Sequence, residues 1–484
     1  MTELTGVTAL VFLIYVAAML GIGYITSGVT KSPADFFLAG RSLKAWVTAV
    51  SSTASSESAW AVLGTVGLAY KEGLSAAWFL PGCLLGYLIN WLFLAERLRK
   101  HSHATHAITL PDYFESHFGD KTHGLRWLAV VIIFSCMMAY VAAQFTAIGK
   151  TFDSIFGIAP YWSIPVGGAI ILGYTMMGGF LAVAWTDFIQ GLIMVAGLVI
   201  LAAVAVAELG GIGGMVEQVR QVHPETMAWM GGKTLPAFIG GVVGLLGIGL
   251  GYPGQPHVLN RYMAARDSQV IRRGLWIALG WGFLIYTSAI FLGLCGNALF
   301  PALADPEHLF PKAAAALLPT VLTAVVLTGV LAAIMSTVSA QIIVAASAVA
   351  HDIYSRLHRG PLTHEKILRV SRITILLLGV GAMGIALAKT QVIFWFVLFA
   401  WSGLGASFGP LILFTLYSKQ VTRQGAAAGM ATGFGVTLIW KVTGLSEAVI
   451  YELVPAFLLA SLAIWGVSRA TSSGASRRPS QASG

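Results

Sequence analysis

The sequence predicts an all-α membrane protein with about thirteen spanning helices. Of its 484 residues, 57% are hydrophobic and only 10% are charged, whereas a soluble domain carries roughly 25% charged residues. A spanning helix needs about 20 mostly apolar residues, and runs of this length are too long for the strands of a membrane barrel. The predicted spans begin near Val7, Trp46, Ala77, Trp127, Tyr161, Phe188, Leu235, Leu275, Pro319, Ile373, Val392, Ala426 and Ala448.

These runs divide the chain into five parts. Residues 1–45 hold the first span and a polar loop, and the first run lacks the basic start and the cleavage site of a secretory signal. Spans two to six occupy residues 46–208, and spans seven to eleven occupy residues 235–418. Two peripheral spans follow in residues 424–468. The polar, Ser-rich residues 469–484 are expected to form a disordered cytoplasmic tail.

The basic residues predict the orientation of the chain in the membrane. When the predicted loops are assigned alternately to the two sides, 22 of the 29 Lys and Arg residues fall on one side and 7 on the other. Cytoplasmic loops carry the excess of Lys and Arg. We therefore expect the N-terminus outside and the C-terminus in the cytoplasm.

The second span contains an unusual polar stretch, "SSTASSESAW", at residues 51–60. Small and hydroxylated residues are common where membrane helices touch. Glu57 is different, because a charged group at this depth costs about 2.5–3.5 kcal/mol even on a lenient scale. The stretch therefore predicts a polar cavity or a bound ligand at this depth.

The seventh span has a matching irregularity, "GIGLGYPGQPH", at residues 247–257. Proline removes a backbone donor, and each glycine lowers helix propensity by about 1 kcal/mol, so the helix should unwind between Gly251 and Pro256. Spans two and seven each head a group of five spans. Interrupted helices at matching positions of two halves are typical of secondary transporters built from inverted repeats. The alternative is two kinked helices that only pack closely together.

A third polar cluster, "MSTVSAQ" at residues 335–341, lies in the ninth span. Ser336, Thr337 and Ser339 could simply hydrogen-bond to carbonyls one turn earlier in their own helix. A small monovalent cation also prefers oxygen ligands, and the break in span two would supply free carbonyls. Together the two segments make a sodium site plausible without a formally charged ligand.

Long motifs make the chain similar to a known family. They include "ADFFLAGRSL", "AITLPDYFESHFGD", "GGFLAVAWTDFIQ", "GLGYPGQPHVLNRYMAA", "LAAIMSTVSAQIIVAASAVAHDIY" and "AWSGLGASFGP". The sequence resembles the sodium/solute symporter family, and within it the bacterial sodium/proline symporters. The resemblance implies thirteen spans, a LeuT-type core of two inverted five-helix repeats in spans two to eleven, an external N-terminus and a cytoplasmic C-terminus.

The resemblance also implies site residues, one position at a time. The sodium ligands would be the backbone carbonyls of Ala54, Glu57 and Ala333 and the hydroxyls of Ser336 and Thr337. Residues 333, 336 and 337 share one helix face, as their spacing requires.

For the substrate, the resemblance implies Tyr140, Tyr252 and nearby Pro256. We add Ser56, Ser58, Gln144 and Ile248 to the predicted substrate-binding set, although Gln144 could instead bond a neighbouring helix. Asp187 matches an acidic residue associated with sodium movement on the cytoplasmic side. A simpler interpretation is that Asp187 lies near the N-terminus of span six, where the helix dipole favours a carboxylate.

Three positions depart from the proline symporters. Those proteins carry an acidic residue where this chain has Ser56, a methionine where it has Glu57, and a tryptophan where it has Ile248. The last change predicts that an aromatic wall of the pocket is missing and that selectivity is lower. We expect the Glu57 backbone to be the sodium ligand, and its side chain to face a wet cavity and affect the pH dependence.

The predicted function is sodium-coupled symport of a small amino acid, most simply proline, into the cell by alternating access. Alternatives are sodium- or proton-coupled uptake of another small zwitterion or carboxylate and, less simply, a sensor or channel on the same fold. No phosphate loop or catalytic triad pattern suggests an enzyme, so we expect no catalytic residues. The expected partners are a small-molecule substrate, Na⁺ as coupling ion and only metal, and the bilayer of a bacterial-type inner (plasma) membrane. We expect no organic cofactor and no nucleic acid.

Overall fold

The computed structural model describes residues 2–30, 32–230, 233–358, 363–388 and 393–475. This part of the chain is almost entirely helical, as the apolar runs predict. The helices are, in chain order, α1 (Thr2–Ser27), α2 (Pro33–Leu38), α3 (Ala45–Ala59), α4 (Thr65–Glu72), α5 (Phe79–Ile89), α6 (Ala95–Ala104), α7 (Leu110–Phe118), α8 (Gly124–Phe156), α9 (Pro160–Glu208), α10 (Gly211–Val222), α11 (Leu235–Gly247), α12 (Pro256–Met263), α13 (Ser268–Leu299), α14 (Leu309–Leu317), α15 (Thr320–Ser347), α16 (Ser355–Leu357), α17 (His364–Ala388), α18 (Ile393–Tyr417), α19 (Arg423–Val442), α20 (Leu445–Ala448) and α21 (Leu453–Ala475).

Within the described ranges, ten helical stretches are long and apolar enough to cross a membrane. Two of them contain two predicted spans each, because α3 to α6 form one nearly continuous stretch and α9 bends in its middle. The helix α19 is less apolar and lies outside the ten. Dividing the two long stretches and adding α19 reproduces the thirteen predicted spans. Val392, the predicted start of the eleventh span, lies outside the described residues.

The second predicted span is broken at Ser58, as expected. This residue has φ 52° and ψ −166°, a left-handed conformation inside an otherwise helical segment. A π-helical turn, Trp60–Gly64, then leads into α4. The backbone carbonyls just before the break therefore lose the regular helical pattern of donors.

The seventh predicted span is broken between α11 and α12. The glycine- and proline-rich residues form a 3₁₀ turn, Ile248–Gly254, and Gln255 is extended at φ −87° and ψ 106°. Pro256 then occupies the first turn of α12, where its missing N–H costs nothing. The predicted unwinding between Gly251 and Pro256 is confirmed.

The junction of spans five and six is a bend at Gly179, rather than a new span beginning near Phe188. Gly179 has φ 58° and ψ −149°, and a Cβ at this position would lie 2.7 Å from the Phe36 ring. Only glycine combines this backbone conformation with such close packing. The residues on both sides of Gly179 are mostly apolar, so hydropathy does not show the bend.

The ninth predicted span, α15, lies at the centre of the bundle. It packs against α1, α3, α8 and α9, and its residues are buried almost continuously from Thr323 to Ser347. A helix buried on all sides does not show an amphipathic pattern. Its polar side chains must therefore find partners inside the protein.

A short backbone pairing ties the start of α3 to the end of α12 at one end of the bundle. The N–H of Leu43 donates to the Ala264 carbonyl at 3.2 Å, and the N–H of Arg266 donates to the Leu43 carbonyl at 3.1 Å. Arg41 adds a side-chain bond of 3.3 Å to the Met263 carbonyl. The segments entering span two and leaving span seven are therefore joined directly.

The first residues of the predicted disordered tail are helical, because α21 continues to Ala475. Thr471 Oγ1 lies 2.7 Å from Thr422 Oγ1, and Ser468 accepts a bond from the Thr422 N–H. These contacts with the start of α19 hold this end of α21 against the bundle. Residues 476–484 lie outside the described residues.

Candidate functional site

Two hydroxyls of α15 meet the backbone of α3 just before its break. Ser336 Oγ is 3.3 Å from the Ala54 carbonyl oxygen, and Thr337 Oγ1 is 3.1 Å from the Ser55 carbonyl oxygen. Both hydroxyls also lie within 3.2 Å of the Ala333 carbonyl one turn earlier. Each hydroxyl therefore contacts a carbonyl of its own helix and a carbonyl of α3 at the same time. All of these oxygen atoms belong to buried residues.

The break in α3 explains why the Ser55 carbonyl can accept this bond. In a regular helix it would accept from the N–H of Ala59, but that N–H donates to Gln144 Oε1 at 3.2 Å. Trp60 N–H donates instead to the Glu57 carbonyl and to Ser58 Oγ. The structure thus brings Ala54, Ala333, Ser336 and Thr337 together, but gives the Glu57 carbonyl a local partner. Sequence reasoning missed Ser55.

A small closed cavity lies beside the two helix breaks. It measures about 10 Å³, about the space that one water molecule needs. Four residues of the predicted substrate-binding set line it: Ser56, Tyr140, Ile248 and Tyr252. Four other residues complete the lining and were not predicted: Trp60, Val397, Leu398 and Trp401.

The cavity does not lack an aromatic wall, contrary to the expectation from Ile248. The Trp401 ring lies 4.8 Å from the Tyr252 ring in an edge-to-face arrangement, and Trp401 Nε1 donates to the Ile248 carbonyl at 3.1 Å. Trp401 fits there because Gly251 has no side chain, since a Cβ would lie 1.8 Å from the indole nitrogen. Together with Trp60, which follows the break in α3, two indoles enclose the cavity.

The remaining predicted substrate residues do not line the cavity. Ser58 Oγ is 3.5 Å from Tyr140 Oη. Gln144 bonds the broken helix through Oε1, as the alternative interpretation proposed, while its Nε2 has no partner within the described part of the chain. Pro256 is buried at the start of α12.

The Glu57 side chain is fully buried, so the expectation of a wet cavity around it is wrong. Its Oε1 accepts from Tyr87 Oη at 2.9 Å, and its Oε2 accepts from Trp281 Nε1 at 2.8 Å. Tyr87 comes from α5 and Trp281 from α13. Three helices therefore hold the carboxylate, which a hydropathy pattern cannot reveal.

Asp187 lies well inside the second half of α9, so its interpretation as an N-terminal carboxylate of span six is wrong. Its Oδ2 is 2.6 Å from Arg261 Nη2 and accepts from Ser51 Oγ at 2.8 Å. Both charged side chains are completely buried. Ser51 precedes Ala54 by about one helical turn, so this ion pair lies close to the carbonyls at the α3 break.

A wider cavity of about 480 Å³ lies on the other side of Ile248 and Leu398, which line both cavities. Its wall includes Glu72 and Lys233, whose charged atoms are 2.6 Å apart. We call this cavity the vestibule. Ile248 and Leu398 therefore separate the vestibule from the small closed cavity.

An ion-pair network joins α7, α8 and the π-helical turn Ala348–Tyr354 that follows α15. Arg126 of α8 contacts Asp112 at 2.7 Å, Glu115 at 2.6 Å and Asp352 more closely. Burial alone would raise the pKa of Asp112, but the bond from His351, a backbone N–H and the Arg126 charge hold it well below its usual range. The network fastens the helix α7 to the bundle while Asp112 is ionised.

Two broken helices around an enclosed cavity are typical of multi-pass membrane transporters. A solved Na⁺-coupled sialic acid symporter has the same fold, with a TM-score of 0.77 and 20% identity over 96% of this chain and 98% of that one. The solved complex of MhsT with L-phenylalanine aligns with a TM-score of 0.53 and 14% identity over 87% of this chain and 97% of that one. The fold is of the LeuT type.

The chain belongs to the sodium:solute symporter family, whose sequence model matches residues 36–433. It is 36% identical over 469 residues to the high-affinity proline transporter PutP of Bacillus subtilis, covering 96% of this chain and 97% of that protein. It is 35% identical over 462 residues to the sodium/proline symporter of Escherichia coli, covering 94% of this chain and 91% of that protein. The expected family is confirmed, and this is a multi-pass plasma-membrane protein.

Proposed function

We propose that this protein is a Na⁺-coupled symporter of a small amino acid, with proline as the first substrate to test. The observation that carries this proposal is the meeting of the Ser336 and Thr337 hydroxyls with the carbonyls of Ala54 and Ser55 just before the α3 break, next to a closed cavity. The names of the similar bacterial transporters support the same substrate and ion.

Sodium would bind where α15 faces the α3 break. Ser336, Thr337 and the carbonyls of Ala54, Ser55 and Ala333 are linked by hydrogen-bond distances. An ion seated among them would replace the hydroxyl hydrogen bonds with oxygen–cation contacts, which suit a hard cation. We rank the Glu57 carbonyl below Ser55, because Thr337 Oγ1 reaches the Ser55 carbonyl at 3.1 Å whereas the Glu57 carbonyl accepts a local bond from Trp60 N–H.

The substrate would bind in the small cavity, which must widen to receive it. Trp60 and Trp401 would enclose an apolar ring, while the hydroxyls of Tyr140 and Tyr252 would meet its polar groups. Gln144 Nε2, left without a partner in the described part of the chain, would donate to a carboxylate. Because sodium ligands and cavity residues share the α3 break, sodium binding would fix the geometry of the substrate site.

Alternating access would require the cavity to open toward one side at a time. On the vestibule side, the barrier consists of Ile248 and Leu398. On the other side it includes the buried Asp187–Arg261 pair, which cations entering or leaving the site would contact. The distribution of basic residues supports the vestibule facing outward, with an external N-terminus and a cytoplasmic C-terminus.

The test is uptake of labelled proline into proteoliposomes with and without an inward sodium gradient. Accumulation should require sodium, collapse when the gradient is dissipated, and be competed by proline better than by acidic, sugar-like or long-chain solutes. Protein-free liposomes are the control for leakage. If proline neither binds nor accumulates while another solute does, the substrate is misassigned; if no solute responds to sodium, the coupling is also wrong.

A further inference from the structure

The Glu57 side chain has no role in the ion and substrate sites described above, although it lies next to both. It is completely buried, and both of its oxygens accept a hydrogen bond, one from Tyr87 and one from Trp281. Within the described part of the chain, no basic side chain lies within 4.0 Å of this carboxylate. A buried carboxylate without a counter-ion is costly, so its placement calls for a reason.

A row of buried phenols leads from Glu57 to the small cavity. Tyr286 Oη donates to Tyr87 Oη at 3.5 Å, and Tyr252 Oη lies 2.7 Å from Tyr286 Oη. All three phenol side chains are at most 2% exposed. Tyr252 then lines the cavity itself. The row therefore connects the carboxylate to a predicted substrate contact through three hydroxyls.

The direction of these bonds follows from the number of protons available. A phenol has one proton to donate and lone pairs to accept. Tyr87 gives its proton to Glu57, so it can only accept from Tyr286. With the proton of Tyr286 directed to Tyr87, Tyr252 is the donor in the 2.7 Å bond. The thiol of Cys83 also contacts both phenols, but a thiol is a weak donor and a weak acceptor. Tyr252, which lines the cavity, can then offer a ligand the lone pairs of its oxygen but not its proton, which is donated to Tyr286.

Ser56 does not alter this direction. Its hydroxyl lies 3.3 Å from Tyr87 Oη but donates to the Thr53 carbonyl at 2.8 Å. The proton of Ser56 is therefore occupied within α3, and the proton of Tyr87 is occupied by Glu57. In its ionised form the carboxylate can only accept, so it ends the row and sets its direction.

We propose that Glu57 is a positioning residue that, through Tyr87 and Tyr286, keeps the Tyr252 oxygen as a hydrogen-bond acceptor for the charged amino group of the substrate. This inference rests on the proposed function and deepens it, because it assigns a preference for substrates with an N–H donor. A ligand of the same shape that lacks the donor should bind less well. A hydrogen bond to a charged group would make this preference on the order of 10- to 100-fold.

The experiment compares proline with tetrahydro-2-furoate, in which a ring oxygen replaces the N–H. Each ligand competes with labelled proline for purified protein in saturating sodium, and the ratio of their affinities is the readout. Tyr286→Phe removes the acceptor that holds the Tyr252 proton, with almost no change in volume. We expect the ratio to fall by on the order of 10-fold.

Glu57→Gln tests the start of the row. Trp281 can only donate, so the new amide should turn its oxygen to Trp281 and its NH₂ to Tyr87. Tyr87 must then donate its proton elsewhere, to Tyr286 or to Ser56. We expect the ratio to fall, but less than in Tyr286→Phe, because Ser56 competes for the proton.

Trp281→Phe is the matched control, because it removes the other hydrogen bond to the same carboxylate. It should leave the ratio unchanged. An unchanged ratio in either Tyr286→Phe or Glu57→Gln, with proline still bound, overturns this inference alone. Absence of sodium-dependent proline binding by the unmodified protein would overturn the proposed function and this inference with it.

Discussion

Removing the hydroxyl of Thr337 tests the ion site most directly. Thr337→Val keeps the shape of the side chain but removes the oxygen that reaches the Ser55 and Ala333 carbonyls at 3.1 and 3.2 Å. Ser336→Ala removes the corresponding contacts with Ala54 and Ala333 at 3.3 and 3.0 Å. Each substitution takes away one expected sodium ligand from a buried site.

The size of the effect can be worked from these contacts. Losing one partner of a buried polar group costs about 1–3 kcal/mol, which corresponds to a decrease of about 5- to 150-fold in sodium affinity. The loss of sodium affinity in Thr337→Val should lie at the upper end of this range. The Ser55 carbonyl shares its helical donor, Ala59 N–H, with Gln144 Oε1, so its bond with Thr337 or the ion carries more weight.

The assay is thermal unfolding of the purified protein as sodium replaces choline at constant ionic strength. A bound ion raises the unfolding temperature to a degree set by its affinity for the folded state, so this readout needs no substrate. Sodium activation of proline uptake gives a second measurement. Thr328→Val is the control, since Thr328 lies on the same helix and bonds its own Ala324 carbonyl at 2.9 Å. Unchanged sodium dependence in both site variants would refute the assignment.

Three further outcomes follow from the structure. Ile248→Ala should thin the barrier between the vestibule and the small cavity and weaken discrimination between small amino acids by about 1–3 kcal/mol, measured by competition of proline uptake. Arg126→Gln should destabilise the protein by about 3–5 kcal/mol or more, because it leaves buried carboxylates unpaired; Arg369→Gln, which removes an exposed pair, should leave the unfolding temperature unchanged. Asp187→Asn should likewise lower the unfolding temperature because Arg261 stays buried, and adding Arg261→Met should restore part of the loss.

The breaks in the two spans could be predicted from sequence, because their signals are local. The glycines and prolines of residues 247–257 oppose a helix wherever they occur, and the hydroxyl cluster at 51–60 is unusual in any membrane segment. That Ala333, Ser336 and Thr337 share one face likewise follows from helical periodicity alone.

The partners of these segments could not be predicted, because they come from distant apolar runs. Trp401 is 153 positions away from Ile248, whose carbonyl it bonds, and nothing in its own run separates it from tryptophans that face lipid. Arg261 is one of the 22 basic residues that the charge distribution assigns to cytoplasmic loops, yet it is completely buried against Asp187. Trp401 and Arg261 belong to the site because the fold buries them against these partners, and residue type alone does not show this.

The backbone pairing of Leu43 with Ala264 and Arg266 has a mechanical consequence. The half-helix α3 is broken near its end at Ser58, and the extended residue Gln255 immediately precedes the half-helix α12. Because two backbone bonds clamp their far ends together, α3 and α12 cannot swing independently on that side of the bundle. The backbone at Ser58 and at Gln255 must therefore change conformation together. Any motion that opens this side will move the α3 carbonyls and the cavity residue Tyr252 at the same time.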